Sequence, residues 1–253
     1  MKIIKLIISD VDGCLGDFEK PEYPEKQDLS NHFEDLEKLK EKIKENNVRF
    51  SVCTGRSSHL VNDMVNCLDI KEPYICEMGH IIVSEKNEQL VTNFDGLVDA
   101  SEKLKDWMEV VKLENSNIKR LWDNKEILTY EFDLDCEEVF KELEGKMPLE
   151  IKELIKENKL KVVKSKNAID VMVDLNKGDG VKHILNRLGI KKENVLGIGD
   201  NYHSDVSMME ECGFVACPGN SDEKLKEYVR SKNGYISEKE CMKGVLDILE
   251  KFK

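Results

Sequence analysis

Residues 2–13 read KIIKLIISDVDG, a nearly continuous apolar run that ends on Asp10, Val11, Asp12 and Gly13. An apolar run without polar alternation is the pattern of a strand buried on both faces, as in a parallel sheet covered by helices. Open parallel sheets bind their ligands at the carboxyl ends of the strands, which is where Asp10 and Asp12 fall. Two carboxylates one residue apart can divide a phosphoryl transfer between them. One attacks phosphorus and forms an aspartyl-phosphate; the other gives a proton to the leaving oxygen and later takes one from water. Gly13 lets the backbone turn away at once. A calcium loop fits poorly, because the twelfth position counted from Asp10 is Pro21 and not a glutamate.

Outward from this run, strand and helix alternate. Leu29, Phe33, Leu36, Leu39 and Ile43 recur at helical spacing, 48–53 reads as a second strand and 57–68 as a helix. A short third strand at 73–76 is followed by a hairpin at 80–83 and 89–91. The alternation returns at 195–199, with a helix through Met208 and Met209, a strand at 214–217 and a closing helix that ends near Phe252. The middle has another rhythm: helix 97–114, strands 118–122 and 126–132, helix 136–157, strands 160–164 and 168–174. Helix–strand–strand, written twice, is an α+β pattern that buries one sheet face under two helices. The expected fold class is therefore α/β, a Rossmann-like parallel-sheet core (residues 1–84 and 177–253) with an inserted α+β cap domain at 85–176.

Three more strand ends and helix starts carry chemistry. Thr54 and Gly55 close the second strand, where a hydroxyl and exposed backbone amides can bind a phosphoryl oxygen. Lys177 lies where the insert rejoins the core and can neutralise charge on a transferring phosphoryl group. Asp200 ends the 195–199 strand, with Asp205 five residues beyond, and either Asp200 or Ser204 is placed to cap the helix that starts there. Magnesium usually takes one or two carboxylates plus phosphate oxygens and water, and Asp10 and Asp200 on neighbouring strand ends could supply them.

Composition limits the partners. With 39 Lys and Arg against 51 Asp and Glu, the net charge of −12 argues against nucleic acid or an anionic membrane surface. The apolar stretch at the N-terminus is too short for a signal peptide, and no later segment approaches a membrane span. The 8 cysteines show no CxxC, which reads as reduced thiol in a cytoplasmic protein, and the 5 scattered histidines make a zinc site unlike this sequence. His203 is expected on an exposed loop. Trp107 and Trp122 are expected to pack between the helices and sheet of the insert.

In order and spacing, these motifs resemble the haloacid dehalogenase superfamily of phosphatases. Asp10-Val11-Asp12-Gly13-Cys14-Leu15 is similar to its first motif, Thr54-Gly55-Arg56 to its second, Lys177 to its third, and Gly199-Asp200 with Asp205 to its fourth. Residues 75–79 and 219–221 resemble its sugar-phosphatase-like (Cof-type, sucrose-phosphatase-like) branch, whose cap is inserted where the insert lies here. The resemblance implies Asp10 as nucleophile and Mg2+ ligand, and Asp12 as general acid/base that ligates through its backbone carbonyl. It implies Thr54, Gly55 and Lys177 around the phosphoryl group, Asp200 as the further carboxylate ligand, and Asp205 supporting the metal directly or from behind. Three positions depart from the pattern: Cys14 replaces threonine, Asp205 stands one residue further from Asp200 than the branch usually has it, and Met78 replaces asparagine. The expected activity is Mg2+-dependent hydrolysis of a small phosphomonoester, a sugar phosphate or related metabolite, with the insert closing over the site and selecting the leaving group. A phosphomutase would use the same aspartyl-phosphate. A dehalogenase would need neither Asp12 nor a metal carboxylate, and a non-catalytic binding protein would be expected to have lost one of these residues.

Overall fold

A computed structural model describes residues 3–16, 33–84, 87–91, 98–114, 118–121, 125–132, 141, 144–164 and 168–252. Leu6, Ile7 and Ile8 are fully or nearly fully buried and form β1 (Leu6–Ser9), the fourth strand of a five-stranded parallel sheet. Its neighbours are β2 (Arg49–Val52), which follows α1 (Phe33–Asn46), and β10 (Val195–Ile198). In register, Ser9 faces Val52 on one side and Ile198 on the other, so the residues just beyond the three strands emerge at one end of the sheet. Asp10, Cys53-Thr54 and Gly199-Asp200 are those residues. Beyond β10 the sheet continues through β11 (Phe214–Cys217) to the two-residue edge strand β12 (Tyr235–Ile236).

Helix α2 (Ser58–Cys67) returns the chain to β3 (Tyr74–Cys76), which begins a three-stranded sheet with β4 (Ile81–Ser84) and β5 (Asn87–Leu90). A parallel bridge between Cys53 and Ile75 joins this sheet to the end of β2. Helix α5 (Lys177–Leu188) starts on a capping box: Asn176 accepts from Gly178 N at 2.8 Å, and Asp179 accepts from Asn176 N at 3.0 Å. That cap fixes where Lys177, the first helical residue, projects. Helices α6 (Tyr202–Glu210), α7 (Glu223–Ser231) and α8 (Cys241–Lys251) complete the α/β layer.

The chain divides into two compact units, Met1–Gln89 with Asn176–Lys253, and Leu90–Leu175. The second unit holds an antiparallel sheet in the order β6-β7-β9-β8, made of β6 (Ile118–Leu121), β7 (Leu128–Phe132), β8 (Leu160–Lys164) and β9 (Ala168–Val173). Helix α3 (Val98–Glu114) buries Ala100, Leu104 and Met108, a spacing of four that places them on one face. Glu126 is buried in this unit and is paired by Ser101 Oγ at 2.9 Å and Lys105 Nζ at 2.5 Å.

Several expectations need correction. A single helix over 136–157 does not form: residues 144–146 are helical, the chain breaks at Met147 and Pro148, and α4 (Leu149–Lys156) starts afresh. Proline lacks the amide a continuing helix needs and pushes the residue before it out of the helical region. The cap of α6 is neither Asp200 nor Ser204 but Asn201, whose side chain accepts from His203 N at 3.0 Å and Ser204 N at 3.3 Å. His203 is exposed on the first turn of that helix and not on a loop. Trp107 is half-buried on α3, while Trp122 and Leu29 lie outside the described residues.

Candidate active site

Asp10 leaves β1 with its amide still bonded to Ile198 O at 2.8 Å, which extends the ladder one residue and fixes the carboxylate at the sheet end. Lys177 crosses from α5 to meet it: Nζ lies 2.8 Å from Asp10 Oδ1 and 2.7 Å from Asp205 Oδ1, with the lysine side chain only 2% exposed. Asp205, fully buried, is engaged through both oxygens. Oδ2 accepts from the amides of Asp200 (2.9 Å) and Asn201 (3.0 Å), and Oδ1 accepts from Ser204 Oγ at 3.0 Å as well as from Lys177. Asp205 thereby shapes the loop that presents Asp200.

Among the described residues, Asp10, Asp200 and Asp205 each offer a carboxylate oxygen, and the three atoms lie within 4.8 Å of one another. Burial and the Asp205 charge push the Asp10 carboxyl up to about 8, against the pull of Lys177. Asp200 is pushed up to about 6, again by burial first and Asp205 second. Burial works against the Lys177 ammonium, yet the charges of Asp10 and Asp205 outweigh it and hold its pKa well above the ordinary range. Once all three carboxyls are ionised, they leave an excess of two negative charges over the one ammonium in a largely buried cluster of oxygen donors. That is a donor set for a hard divalent cation.

Thr54 is fully buried at the end of β2, its amide donating to Ile75 O at 2.9 Å and its hydroxyl accepting from Arg56 N at 3.1 Å. Gly55 follows it, half-buried. Asp12 stands apart from the three clustered carboxylates, its side chain 46% exposed and gripped by Arg56. Nε of Arg56 donates to Oδ1 (3.1 Å) and Oδ2 (2.8 Å), and Nη2 donates to Oδ1 (2.7 Å). Gly13 has φ +71°, and a Cβ there would lie 2.1 Å from Asp200 Oδ2, so the turn after Asp12 can approach Asp200 only because the residue is glycine. Asn220 holds the same turn by donating to Gly13 O at 2.9 Å, while its Oδ1 accepts from Cys241 N at 2.7 Å.

Arg56 and Asn220 lie within the quoted motifs, yet nothing local in the sequence says which distant group a polar side chain will meet. The turn Glu77–Gly79 is equally hidden: three successive residues have positive φ, 48°, 55° and 105°. This turn supports the loop at 54–56, with Glu77 N donating to Arg56 O and Met78 N to Thr54 O, each at 3.0 Å. Met78 Sδ lies 3.0 Å from where a Gly55 Cβ would be. A left-handed methionine costs about 1–2 kcal/mol, and asparagine tolerates that conformation far better. Met78→Asn is therefore expected to raise the melting temperature by about 1–4 °C. A fall of several degrees in a thermal melt would instead mean that packing over Gly55 outweighs the backbone cost.

Comparison with known proteins bears on these features. Phosphoglycolate phosphatase 1 of Saccharolobus solfataricus is 24% identical over 253 residues, 98% of this chain and 96% of the relative. Phosphoglycolate phosphatase of Archaeoglobus fulgidus is 26% identical over 228 residues, 88% and 87% of the two chains. In fold, the chain is similar to the sucrose-phosphatase of Synechocystis sp. PCC6803 solved with sucrose and phosphate (TM-score 0.64, 18% identity, 99% and 98% coverage). A protein of Thermoplasma acidophilum is likewise similar (TM-score 0.68, 16% identity, 99% and 98% coverage). The family model and the near-full-length relatives together define a phosphatase, a phosphoric monoester hydrolase of the haloacid dehalogenase type. Within that class the chain belongs to the sucrose-6F-phosphate phosphohydrolase family, whose model matches residues 4–253. Among the described residues no helix is long and apolar enough to cross a membrane.

Proposed function

We propose that this phosphatase hydrolyses a small phosphomonoester through an aspartyl-phosphate on Asp10, with Mg2+ as its metal. The observation that carries the reading is the buried set in which one ammonium, Lys177, bridges Asp10 and Asp205 beside Asp200. A carboxylate oxygen of Asp10 attacks phosphorus as the bond from phosphorus to the leaving oxygen breaks, and Asp12 gives that oxygen its proton. Water then attacks the aspartyl-phosphate, Asp12 takes the water proton, and the Asp10 carboxylate is restored as phosphate leaves. Thr54 and Gly55 hold the phosphoryl group from one side and Lys177 from the other.

Asp10 and Asp200 would hold the metal with the backbone carbonyl of Asp12. Asp205, spent on Lys177, Ser204 and two amides, supports them from behind. A bound divalent cation supplies positive charge against the phosphoryl oxygens. Substrate choice is assigned to the insert, residues 85–176. The substrate class is a phosphorylated sugar or a short phosphorylated acid, since relatives of nearly the full length are named for phosphoglycolate. A cytoplasmic location is assigned on the cysteine pattern of the sequence, 8 residues with no CxxC and no regular spacing.

The test is phosphate release over a panel containing 2-phosphoglycolate, sucrose 6-phosphate, hexose phosphates and an aryl phosphate. Turnover is expected to vanish on chelation and return with Mg2+. Undiminished turnover in chelator would overturn the metal assignment.

A further inference from the structure

We infer that Arg56 is a positioning residue for Asp12, fixing the carboxylate that moves the proton; this rests on the acid/base reading of Asp12 above. An ordinary exposed ion pair contributes little and is not held in one geometry. This pair differs in its form and in its anchoring. The guanidinium engages both oxygens of Asp12 through three contacts of 2.7 to 3.1 Å, so the carboxylate is set in plane as well as in position. The arginine side chain is only 14% exposed.

Both partners project from backbone that is itself tied down. Arg56 N donates to Thr54 Oγ1, and Arg56 O accepts from Glu77 N at 3.0 Å. On the other side, Gly13 N donates to Gly16 O at 2.9 Å, and Gly13 O accepts from Asn220 Nδ2. The ion pair thus joins the turn after β1 to the turn after β2, the two loops that carry the nucleophile and the phosphoryl-binding hydroxyl.

The contacts also divide the two oxygens. Oδ1 accepts two N–H bonds from Arg56, whereas Oδ2 accepts one, at 2.8 Å. A carboxylate oxygen has two lone-pair directions, so Oδ2 keeps one with which to exchange a proton. Without Arg56, the half-exposed Asp12 side chain would share its time among rotamers. Misplacing a reacting group by about 1 Å can cost about 10²-fold in rate.

The experiment compares kcat/KM of wild type, Asp12→Asn, Arg56→Ala and Arg56→Lys over phosphomonoesters whose leaving groups run from nitrophenol to simple alcohols. Asp12→Asn is expected to lose most with the alcohols, which need the proton, and least with nitrophenol. Arg56→Ala should follow the same slope, losing about 10²-fold with alkyl esters and only a few-fold with the aryl ester, its KM changing by less than about 3-fold. Arg56→Lys should fall between Arg56→Ala and wild type, because it keeps the charge and loses the fork. The double variant Asp12→Asn/Arg56→Ala should be no slower than Asp12→Asn alone. A loss in Arg56→Ala that is equal across leaving groups, or that adds to Asp12→Asn, overturns the inference and leaves Asp12 as the acid. A uniform loss in Asp12→Asn itself overturns the underlying reading. Should the alanine variant fail to fold, the lysine variant alone decides, by the slope of its loss.

Discussion

Replacing Asp10 by asparagine is expected to lower phosphate release by about 10⁴-fold or more while the protein stays folded. An amide nitrogen or oxygen in that place is too weak a nucleophile to form the acyl phosphate, so the loss falls on the chemical step itself. Stability should not suffer. The Asp10 carboxyl is buried beside Asp205 and is raised to about 8, so its ionised form is disfavoured by folding. A carboxyl raised in this way contributes stability below its unfolded value, and that contribution drains away as pH climbs from 3.8 through about 8. At pH 7, without added divalent cation, the neutral asparagine variant should melt at or above the wild-type temperature. Affinity for Mg2+ should fall, since one carboxylate has left the cluster. Rapid quench with labelled substrate should trap acid-stable protein-bound phosphate in the wild type and none in the variant. A variant that retained more than about a tenth of wild-type turnover would remove Asp10 from the nucleophile's place.

Which features could be read from the sequence follows from what kind of interaction makes them. β1 was legible because Leu6, Ile7 and Ile8 are buried on both faces, and that leaves an unbroken apolar run. Parallel pairing with β2 and β10 then places Asp10, Thr54 and Asp200 at one sheet end, since register carries residues beyond the strands along with the strands. Helix α7 was not read: EKLKEYVRS sets Leu225, Tyr228 and Val229 at helical spacing, but buries only Leu225 and Val229 among charged neighbours, a short signal to pick out. The edge strand β12, two residues long, has no pattern to detect. The break at Pro148 was written in the sequence, and the helical spacing on either side of it hid the stop. Arg56 and Asp12 are 44 residues apart, and local pattern cannot choose among carboxylates for a guanidinium. The same limit applies to Lys177, whose two partners lie 167 residues before it and 28 after it.

Lys177→Met should show the second large effect, and on stability as much as on rate. Methionine matches the length of the lysine stem but leaves Asp10 and Asp205 facing each other with no cation between them. Removing one member of a buried ion pair costs about 3–5 kcal/mol, much of it the price of the charge left behind. For a chain of this size, that predicts a fall of about 6–20 °C in melting temperature. Divalent cation should reverse part of the fall, because any cation held by the folded cluster stabilises it by mass action. Catalysis should not return with it, since a cation among the carboxylates does not replace the ammonium proposed to hold the phosphoryl group. Adding Asp205→Asn to Lys177→Met separates charge from packing. The second change removes the uncompensated carboxylate but keeps an oxygen able to accept from the amides of Asp200 and Asn201. The double variant should therefore be more stable than the two single losses summed, with a coupling of about 1–3 kcal/mol by thermal or urea melts. Additive losses would mean that the triad Asp10–Lys177–Asp205 is held by packing, and that its charges do not decide the stability of the site.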